Sequence, residues 1–503
     1  MQREKERGYS TPQLANVYDK SINLKGLEGE ARLIEKIAWL PDLIYTGGRF
    51  ERGLALICDE QGRIAQFARE TDDIGHVIRL KNRAMLPGLV NAHSHAFQRV
   101  IRGRTEYRTQ NSENSFWTWR EMMYAAAARL APEDVYDSSR MAFLEMALSG
   151  ITSVGEFHYL HHAPSGAPYY DPNLLSKEVV RAARDVGLRI ALLRVAYARA
   201  GFRLELDERQ KRFIESEPES FLRNVERLRE EIKESEQQTA WVGVAPHSIR
   251  AVPLSYLREV IRHAARENLP VHMHIAEQPA EVSACMEEHG LAPVALLDSE
   301  GLLNDNFTAV HAIHISKEEA RMLAQSNSSV CACPTTERNL GDGIFPADLF
   351  FAENARVALG TDSHAQIDLL EDARELEYHL RLKKLERNVL AEVGEDENSS
   401  RRSALAAKLF ECASARGAES IGAWACGGLE PDRMADFFTV DLDDPSIAGA
   451  AIDDLLPAIV FSLARTAVRE VVRGGKLIVE DGHHRAQSEI IQKFAALQRK
   501  LWG

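Results

Sequence analysis

Eight short apolar runs, separated by longer polar or helix-patterned stretches, occupy residues 86–364. They read LPGLVNAHSH (86–95), ITSVGEFHY (151–159), LRIALLRVAY (188–197), TAWVGVAPHS (239–248), LPVHMHIAEQ (269–278), FTAVHAIHI (307–315), SVCACPTTE (329–337) and RVALGTDSH (356–364). Strands buried on both faces read as continuous apolar runs, and helical segments between them are typical of a parallel sheet. The runs therefore predict an α/β fold, a (β/α)8 TIM-like barrel, with an open doubly wound sheet as the structural alternative.

The stretches on either side of the barrel region alternate between apolar and polar residues, as antiparallel strands do. We expect residues 41–85 and 425–485 to form one small β-sandwich domain from both chain ends, with the barrel (86–424) inserted between its halves. Residues 1–40 are polar and charged and are interpreted as an N-terminal extension, and residues 486–503 as a C-terminal helix.

Composition restricts the partners. The net charge of −14 argues against nucleic acid, because phosphate binding requires a basic surface, but it leaves room for a small anionic substrate. No apolar run approaches the roughly 20 residues of a membrane-spanning helix, so we expect no membrane partner. The six cysteines form no Cys-x-x-Cys pair, and Cys331 and Cys333 are interpreted as buried thiols, which favours a reducing, cytoplasmic setting.

Reactive side chains gather where the predicted strands end. They are His93 and His95 on the first strand, His247 on the fourth, His272, His274 and Glu277 on the fifth, His311 and His314 on the sixth, and Asp362 and His364 on the eighth. Each of them alone has an ordinary structural interpretation, as a histidine with a protein partner or as a helix cap. In a (β/α)8 barrel, however, the C-terminal ends of the strands meet at the face that carries the active site. The joint pattern therefore favours a catalytic site.

Histidines and carboxylates in this arrangement predict a metal site. Three imidazoles and one carboxylate suit a borderline divalent cation such as Zn²⁺, with a position left for water, although iron and manganese accept the same ligands. The second, third and fourth runs contain no lysine to bridge a second ion, so we expect one metal per chain. We expect Asp362 to take a proton from the water, and Glu277, three residues after His274, to pass protons to a substrate nitrogen.

This pattern resembles that of the amidohydrolase superfamily, which has His-x-His on the first strand, histidines on the fifth and sixth, and an aspartate on the eighth. The string HIAE (274–277) is similar to that of the deaminase branch. Seven strings resemble those of one family in that branch, the formimidoylglutamate deiminases: HSHAFQR (93–99), FWTWRE (116–121), EFHYLHH (156–162), HSIRAV (247–252), HIAEQ (274–278), TERNLGDGIFPA (336–347) and GTDSH (360–364).

The resemblance implies a role for each matching residue. The implied metal ligands are His93, His95, His274 and Asp362. The implied acid and base groups are Glu277, His311 and Asp362. The implied substrate contacts are Gln98, Arg120, Tyr159, His247 and Arg250.

The resemblance also implies a reaction, the metal-dependent hydrolytic deimination of N-formimino-L-glutamate to N-formyl-L-glutamate and ammonia. It further implies that the reaction belongs to histidine degradation and that the enzyme is a homodimer. The substrate is a small dicarboxylate, and the guanidinium groups of Arg120 and Arg250 match carboxylates bidentately. A preference for N-formimino-L-aspartate stays open, because it depends on the spacing of the two arginines.

Two other functions also stay open. The first is that of another deaminase of the superfamily, acting on a cyclic base or nucleoside, which would need a stacking pocket and little anion recognition. The second is that of a catalytically inactive scaffold, which would have no reason to keep the full set of metal ligands.

Overall fold

In a computed structural model, the described residues are 37–503, apart from 70–71, 73–75, 108–115, 205–206, 236–238 and 393–398. The predicted N-terminal extension therefore lies outside the described residues up to residue 36. The first strand begins at Ile37, ahead of the start that was predicted for the small domain at residue 41.

Among the described residues, five strands precede the barrel. They are β1 (Ile37–Thr46), β2 (Arg49–Arg52), β3 (Leu54–Cys58), β4 (Ile64–Arg69) and β5 (His76–Pro87). The backbone then passes directly into the barrel, because only Gly88 separates β5 from the next strand.

Each of the eight predicted runs contains one barrel strand. The strands are β6 (Leu89–Ser94), β7 (Ile151–His158), β8 (Arg189–Ala196), β9 (Ala240–Pro246), β10 (Val271–Ile275), β11 (Phe307–His311), β12 (Ser329–Ala332) and β13 (Arg356–Leu359). They pair in parallel and in sequence order. The predicted barrel is confirmed, and the open doubly wound alternative is wrong.

The barrel closes between its first and last strands at the C-terminal end. The Asp362 amide donates to the His93 carbonyl at 3.0 Å, and the His95 amide donates to the Asp362 carbonyl at 3.0 Å. Because these two backbone hydrogen bonds join the end of β6 to the residues that follow β13, they hold three of the predicted metal ligands side by side.

Helices cover the outside of the barrel and the chain end. They are α1 (Phe116–Ala127), α2 (Pro132–Leu148), α3 (Leu174–Val186), α4 (Pro218–Ser235), α5 (Leu254–Glu267), α6 (Pro279–His289), α7 (Pro293–Ser299), α8 (Lys317–Gln325), α9 (Pro334–Leu340), α10 (Ala347–Ala352), α11 (Leu369–Lys384), α12 (Ser399–Cys412), α13 (Ala415–Ser420), α14 (Leu455–Ser462) and α15 (Gln487–Trp502). In α5, for example, Tyr256, Leu257, Val260, Ile261 and Ala264 are buried at the spacing of one helix face. Within the described ranges, no helix has both the length and the apolar character needed to cross a bilayer.

Strands from both chain ends form one sheet beside the barrel. Four strands follow the barrel: β14 (Phe437–Asp441), β15 (Val468–Arg473), β16 (Lys476–Glu480) and β17 (His483–His484). The sheet order is β17-β16-β15-β14-β5-β1-β3-β4, with β2 paired to β1. The long strand β5 joins the two halves, because it pairs in parallel with β1 and antiparallel with β14. The predicted small β domain from both chain ends is therefore confirmed, as a continuous hydrogen-bonded sheet.

Candidate metal centre and active site

The predicted metal ligands lie together at the C-terminal ends of the barrel strands. His93 is the penultimate residue of β6, His95 follows the strand, His274 is in β10, and Asp362 follows β13. All four are buried, with Asp362 only 5% exposed. Buried ionisable groups need partners or ions, so the site has to satisfy them internally or through a ligand.

Backbone strain is concentrated at the same strand ends. Non-glycine residues with positive φ occur there at Ala276, His311, Ala312, Asp362 and His364. Such conformations cost about 1–3 kcal/mol each and persist where the surrounding structure imposes them, which is common at functional sites. At His311 (φ 70°) and Asp362 (φ 44°), the backbone turns as the strand ends and directs the side chain into the barrel mouth.

The ligand atoms converge on one point. The Nε2 atom of His93 is 3.2 Å from Nε2 of His95 and 3.2 Å from Nε2 of His274. Oδ1 of Asp362 is 3.1 Å from Nε2 of His95 and 3.4 Å from Nε2 of His93. Together with His311, single ligand atoms of His93, His274 and Asp362 lie within 4.8 Å of one another.

Two backbone carbonyls determine which imidazole nitrogens carry protons. Nδ1 of His95 is 2.9 Å from the Phe157 carbonyl, and Nδ1 of His274 is 3.1 Å from the His247 carbonyl. A carbonyl only accepts, so both Nδ1 atoms are protonated, and in the neutral imidazole the Nε2 atom then carries the lone pair. These two Nε2 atoms, Nε2 of His93 and a carboxylate oxygen of Asp362 lie close to one another. The donor set therefore fits a divalent cation, which these atoms would hold together.

The charge states agree with that fit. Burial lowers the pKa of His93 to about 3, and it lowers the pKa of His274 well below its ordinary value, so both are neutral ligands near pH 7. Burial opposes ionisation of Asp362, but the imidazoles of His93 and His95 hold the pKa of its carboxyl well below the usual range. The site therefore presents one negative charge and several neutral nitrogens.

His311 and Glu277 lie on the open side of this cluster. Nε2 of His311 is 3.7 Å from Oε1 of Glu277 and 3.9 Å from Oδ2 of Asp362, and its ring stacks on that of His274 with centroids 5.4 Å apart. Burial raises the pKa of Glu277, and the Glu277 carboxylate raises the pKa of His311 well above its ordinary value despite burial. The two side chains can therefore share and move a proton.

The predicted substrate contacts surround the same mouth. The Gln98 side-chain amide donates to the Tyr159 hydroxyl at 2.7 Å, and the Tyr159 ring packs against His95 with centroids 5.2 Å apart. The His247 ring lies 4.8 Å from the His274 ring and 4.7 Å from that of Tyr197. Oε1 of Gln98 is buried without a protein partner among the described residues.

Both predicted arginines act on His247. Burial lowers the pKa of His247 well below its ordinary value, and the cations of Arg250 and Arg120 lower it further. Nη2 of Arg120 is 3.4 Å from the Tyr197 hydroxyl, and Nη1 of Arg250 is 3.5 Å from the Ala200 carbonyl. In the part of the chain that the structure describes, no carboxylate lies within 4.0 Å of the Arg250 guanidinium. Two cations thus adjoin one side of the site.

Three other histidines at the strand ends have protein partners. His272 pairs with the Ser420 carbonyl at 2.8 Å, His314 with the Asp342 carbonyl at 2.9 Å, and His364 with the Thr361 hydroxyl at 3.1 Å. Their ordinary structural interpretation fits these contacts.

Sequence reasoning missed two carboxylates. Glu156 accepts hydrogen bonds from the Ser94 hydroxyl at 2.5 Å and from the Ala96 amide at 2.7 Å, so it holds the His93–His95 segment. Burial raises its pKa to about 7. Glu337 lies 3.3 Å from Nδ1 of His311. Both residues occur in the strings that carry the resemblance, EFHYLHH and TERNLGDGIFPA. A single sequence, however, gives no sign that Glu156 contacts the His93–His95 segment or that Glu337 contacts His311.

Known proteins share this architecture. A formimidoylglutamate deiminase from Pseudomonas aeruginosa is 38% identical over 419 residues, 83% of this chain and 89% of the relative. A 5-methylthioadenosine/S-adenosylhomocysteine deaminase from Pyrococcus abyssi is 27% identical over 90% of this chain and 96% of its own length. The crystal structure of an amidohydrolase from Brucella melitensis, 32% identical, matches with a TM-score of 0.83 over 93% of this chain and 100% of that chain.

A model of the amidohydrolase family also matches residues 84–478, which include the whole barrel and, from the small sheet, the end of β5, β14, β15 and part of β16. The chain therefore belongs to the amidohydrolase family.

Proposed function

We propose that this protein hydrolyses N-formimino-L-glutamate to N-formyl-L-glutamate and ammonia, using one divalent metal ion, zinc in the first instance. The proposal rests on one observation: a His/Asp cluster suited to a divalent cation lies close to His247, whose pKa the cations of Arg250 and Arg120 lower. A metal hydrolase and a dicarboxylate substrate together account for both features. The relative that is 38% identical, a formimidoylglutamate deiminase, supports the same substrate.

His93, His95, His274 and Asp362 would hold the ion. When bound, a divalent ion lowers the pKa of a coordinated water from about 16 to about 7, so that a nucleophile exists at neutral pH. Glu156 would keep the His93–His95 segment in place through Ser94 and Ala96. Such outer contacts orient metal ligands and sustain activity.

The reaction adds water across the C=N bond of the formimino group and then expels ammonia. Asp362 would accept the proton of the attacking water, since its carboxylate lies beside two of the ligand nitrogens. Glu277 would carry a proton to the departing nitrogen, because it lies 3.7 Å from His311 and burial raises the pKa of its carboxyl. His311 would stabilise the charge that develops at the tetrahedral carbon.

The two carboxylates of the substrate would pair with Arg250 and Arg120. Planar guanidinium groups bind carboxylates bidentately, whereas a purine or pyrimidine offers no such anion. Gln98, Tyr159 and His247 would orient the chain of the substrate between the arginines and the metal. The expected cytoplasmic setting, the homodimer and the place in histidine degradation stay predictions.

Deamination of a nucleoside is the second candidate. The 27% identity to a 5-methylthioadenosine/S-adenosylhomocysteine deaminase over 90% of this chain favours it. The cations of Arg120 and Arg250 at the mouth argue against it, because a neutral base does not need them.

The test is ammonia release by metal-replete protein from N-formimino-L-glutamate, with N-formimino-L-aspartate, cytosine, guanine and S-adenosylhomocysteine in parallel. Metal content is assayed on the same sample. We expect rapid release from N-formimino-L-glutamate with about one metal ion per chain. Release only from a base or nucleoside would establish the second candidate, and bound metal without any release would overturn both.

A further inference from the structure

We propose that Glu337 is a positioning residue of the reaction, which keeps a proton on Nδ1 of His311 and fixes the orientation of its imidazole through that atom. The inference rests on the proposed function in so far as His311 acts on the substrate there. Glu337 does not face the substrate, and its effect is exerted through His311.

The Glu337 carboxylate is held rigidly. It lies in the first turn of α9 and is fully buried. Its Oε1 atom accepts a hydrogen bond from the Cys333 amide at 2.9 Å, while its own backbone amide donates to the Cys333 carbonyl at 2.9 Å. The Asp342 amide donates to the Glu337 carbonyl at 3.0 Å. Backbone and side chain are therefore both anchored before His311 makes any contact.

This anchored oxygen determines the state of the imidazole. Nδ1 of His311 lies 3.3 Å from Oε1 of Glu337. A carboxylate only accepts, so Nδ1 carries the proton, and Nε2 is left facing Glu277 at 3.7 Å and Asp362 at 3.9 Å. His311 also lies on a strained backbone, with φ of 70° and with φ of 48° at Ala312, so its ring direction depends on such side-chain contacts.

The charge of Glu337 serves the same step. Its second oxygen, Oε2, is buried with no hydrogen-bond partner in the described part of the chain. The Glu337 carboxylate therefore makes its hydrogen bonds through Oε1, to the Cys333 amide and to Nδ1 of His311. It lies on the side of the ring opposite Glu277 and Asp362, as the third member of a nucleophile–base–carboxylate arrangement lies behind the base that it orients.

A purely structural role is the competing explanation, because the Glu337 side chain also binds the Cys333 amide at the start of α9. The chain offers a matched control in Asp372. This carboxyl is likewise fully buried, and its Oδ1 atom accepts a hydrogen bond from the Thr335 amide of the same helix at 3.0 Å. Asp372 lies in α11 and makes no hydrogen bond or ion pair with His311 in the described part of the chain, so Asp372→Asn removes a buried acidic group that binds the start of α9 without the proposed effect.

The experiment compares kcat, KM and metal content of the parent, Glu337→Gln, Asp372→Asn, His311→Asn and the double variant Glu337→Gln/His311→Asn. We expect Glu337→Gln to lower kcat roughly 10–100-fold with KM within about threefold and full metal content. Asp372→Asn should keep kcat within about threefold, and Glu337→Gln should change kcat less than about twofold in the His311→Asn background. Equal losses in the two carboxylate variants, or additive losses in the double variant, would overturn the inference.

A spectroscopic readout separates this inference from the proposed function. In protein labelled with ¹⁵N-histidine, the parent should give a downfield imidazole N–H proton on Nδ1 of His311, absent in His311→Asn and shifted upfield in Glu337→Gln. Failure of the parent to release ammonia from N-formimino-L-glutamate would refute the substrate alone. An unprotonated Nδ1 in the parent would refute the role of Glu337 whatever the substrate.

Discussion

Two buried charged clusters in the barrel satisfy their polar groups in opposite ways. Behind β8, Arg194 and Glu215 form an ion pair in which Nε of Arg194 donates to Asn173 at 3.0 Å and Nη2 donates to Glu215 at 3.1 Å. Asn224 donates to the same carboxylate at 2.8 Å. At the barrel mouth, by contrast, Nε2 of His93 lies 3.2 Å from Nε2 of both His95 and His274, and the Asp362 carboxylate adjoins His93 and His95.

Stability and function therefore depend on different parts of this molecule. The Arg194–Glu215 cluster is complete within the protein, so Arg194 lowers the pKa of Glu215 to about 2 although burial opposes this. The mouth instead holds a His/Asp cluster able to bind a divalent cation, and burial there lowers the pKa of His93 and His274. Changes at the mouth should therefore alter turnover, and changes behind β8 should alter folding.

The largest effect is expected for Asp362→Asn. Removing the negative charge and the proton acceptor should lower kcat for N-formimino-L-glutamate by about 10²–10⁴-fold, even in protein saturated with metal. The measurement is steady-state ammonia release with metal content determined on the same sample. Turnover close to that of the parent, with metal bound, would exclude Asp362 as the base.

The matching change behind β8 is Glu215→Gln. It leaves the Arg194 cation buried without its counter-charge and should reduce the free energy of unfolding by about 3–5 kcal/mol. Urea unfolding at neutral pH measures the loss, and metal content of the folded variant should stay at the parent value. Glu287→Gln is the control. Glu287 lies 3.3 Å from Arg203 in an ion pair whose two side chains are both exposed, and such pairs contribute little to stability. An equal loss in both variants would contradict the comparison.

The two clusters also differ in how far the sequence predicts them. The metal ligands could be predicted because residues i and i+2 of a strand share a face and the C-terminal ends of barrel strands meet. Arg194 and Glu215 could not, since Glu215 lies in the connection between β8 and α4 and no periodicity relates it to Arg194. Glu337 was missed for the same reason, because it lies in α9 and no periodicity relates it to its partner His311 at the end of β11.

The small sheet illustrates a further limit. Alternating patterns located strands at both chain ends, but strand pairing depends on contacts that are remote in sequence. The two halves of the sheet are joined because β5 pairs with both β1 and β14. Strand β1 starts at Ile37 rather than near residue 41, because Ile37 pairs with His76 and with Cys58. Neither partner is recognisable from the local pattern around Ile37.

Acid should weaken the Arg194–Glu215 cluster within a defined range of pH. The folded-state pKa of Glu215 is about 2, below its ordinary value of 4.5, so the stabilisation is present above about pH 4.5 and is lost as the pH falls towards about 2. The shift corresponds to roughly 3 kcal/mol. Urea unfolding at about pH 6 and about pH 3 should give a larger decrease for the parent than for Glu215→Gln. Equal decreases would show that another group carries the acid sensitivity.

The smallest effect concerns the substrate end of the mouth. Arg250→Lys keeps the positive charge but replaces a planar, bidentate donor by a single ammonium group, so binding of a carboxylate should weaken. We expect KM for N-formimino-L-glutamate to rise about tenfold, equivalent to roughly 1.4 kcal/mol, with kcat changed less than about threefold. Arg203→Lys is the control, since Arg203 is highly exposed and pairs with Glu287. A fall in kcat at unchanged KM would instead connect Arg250 with the chemical step, through His247, whose pKa its cation lowers.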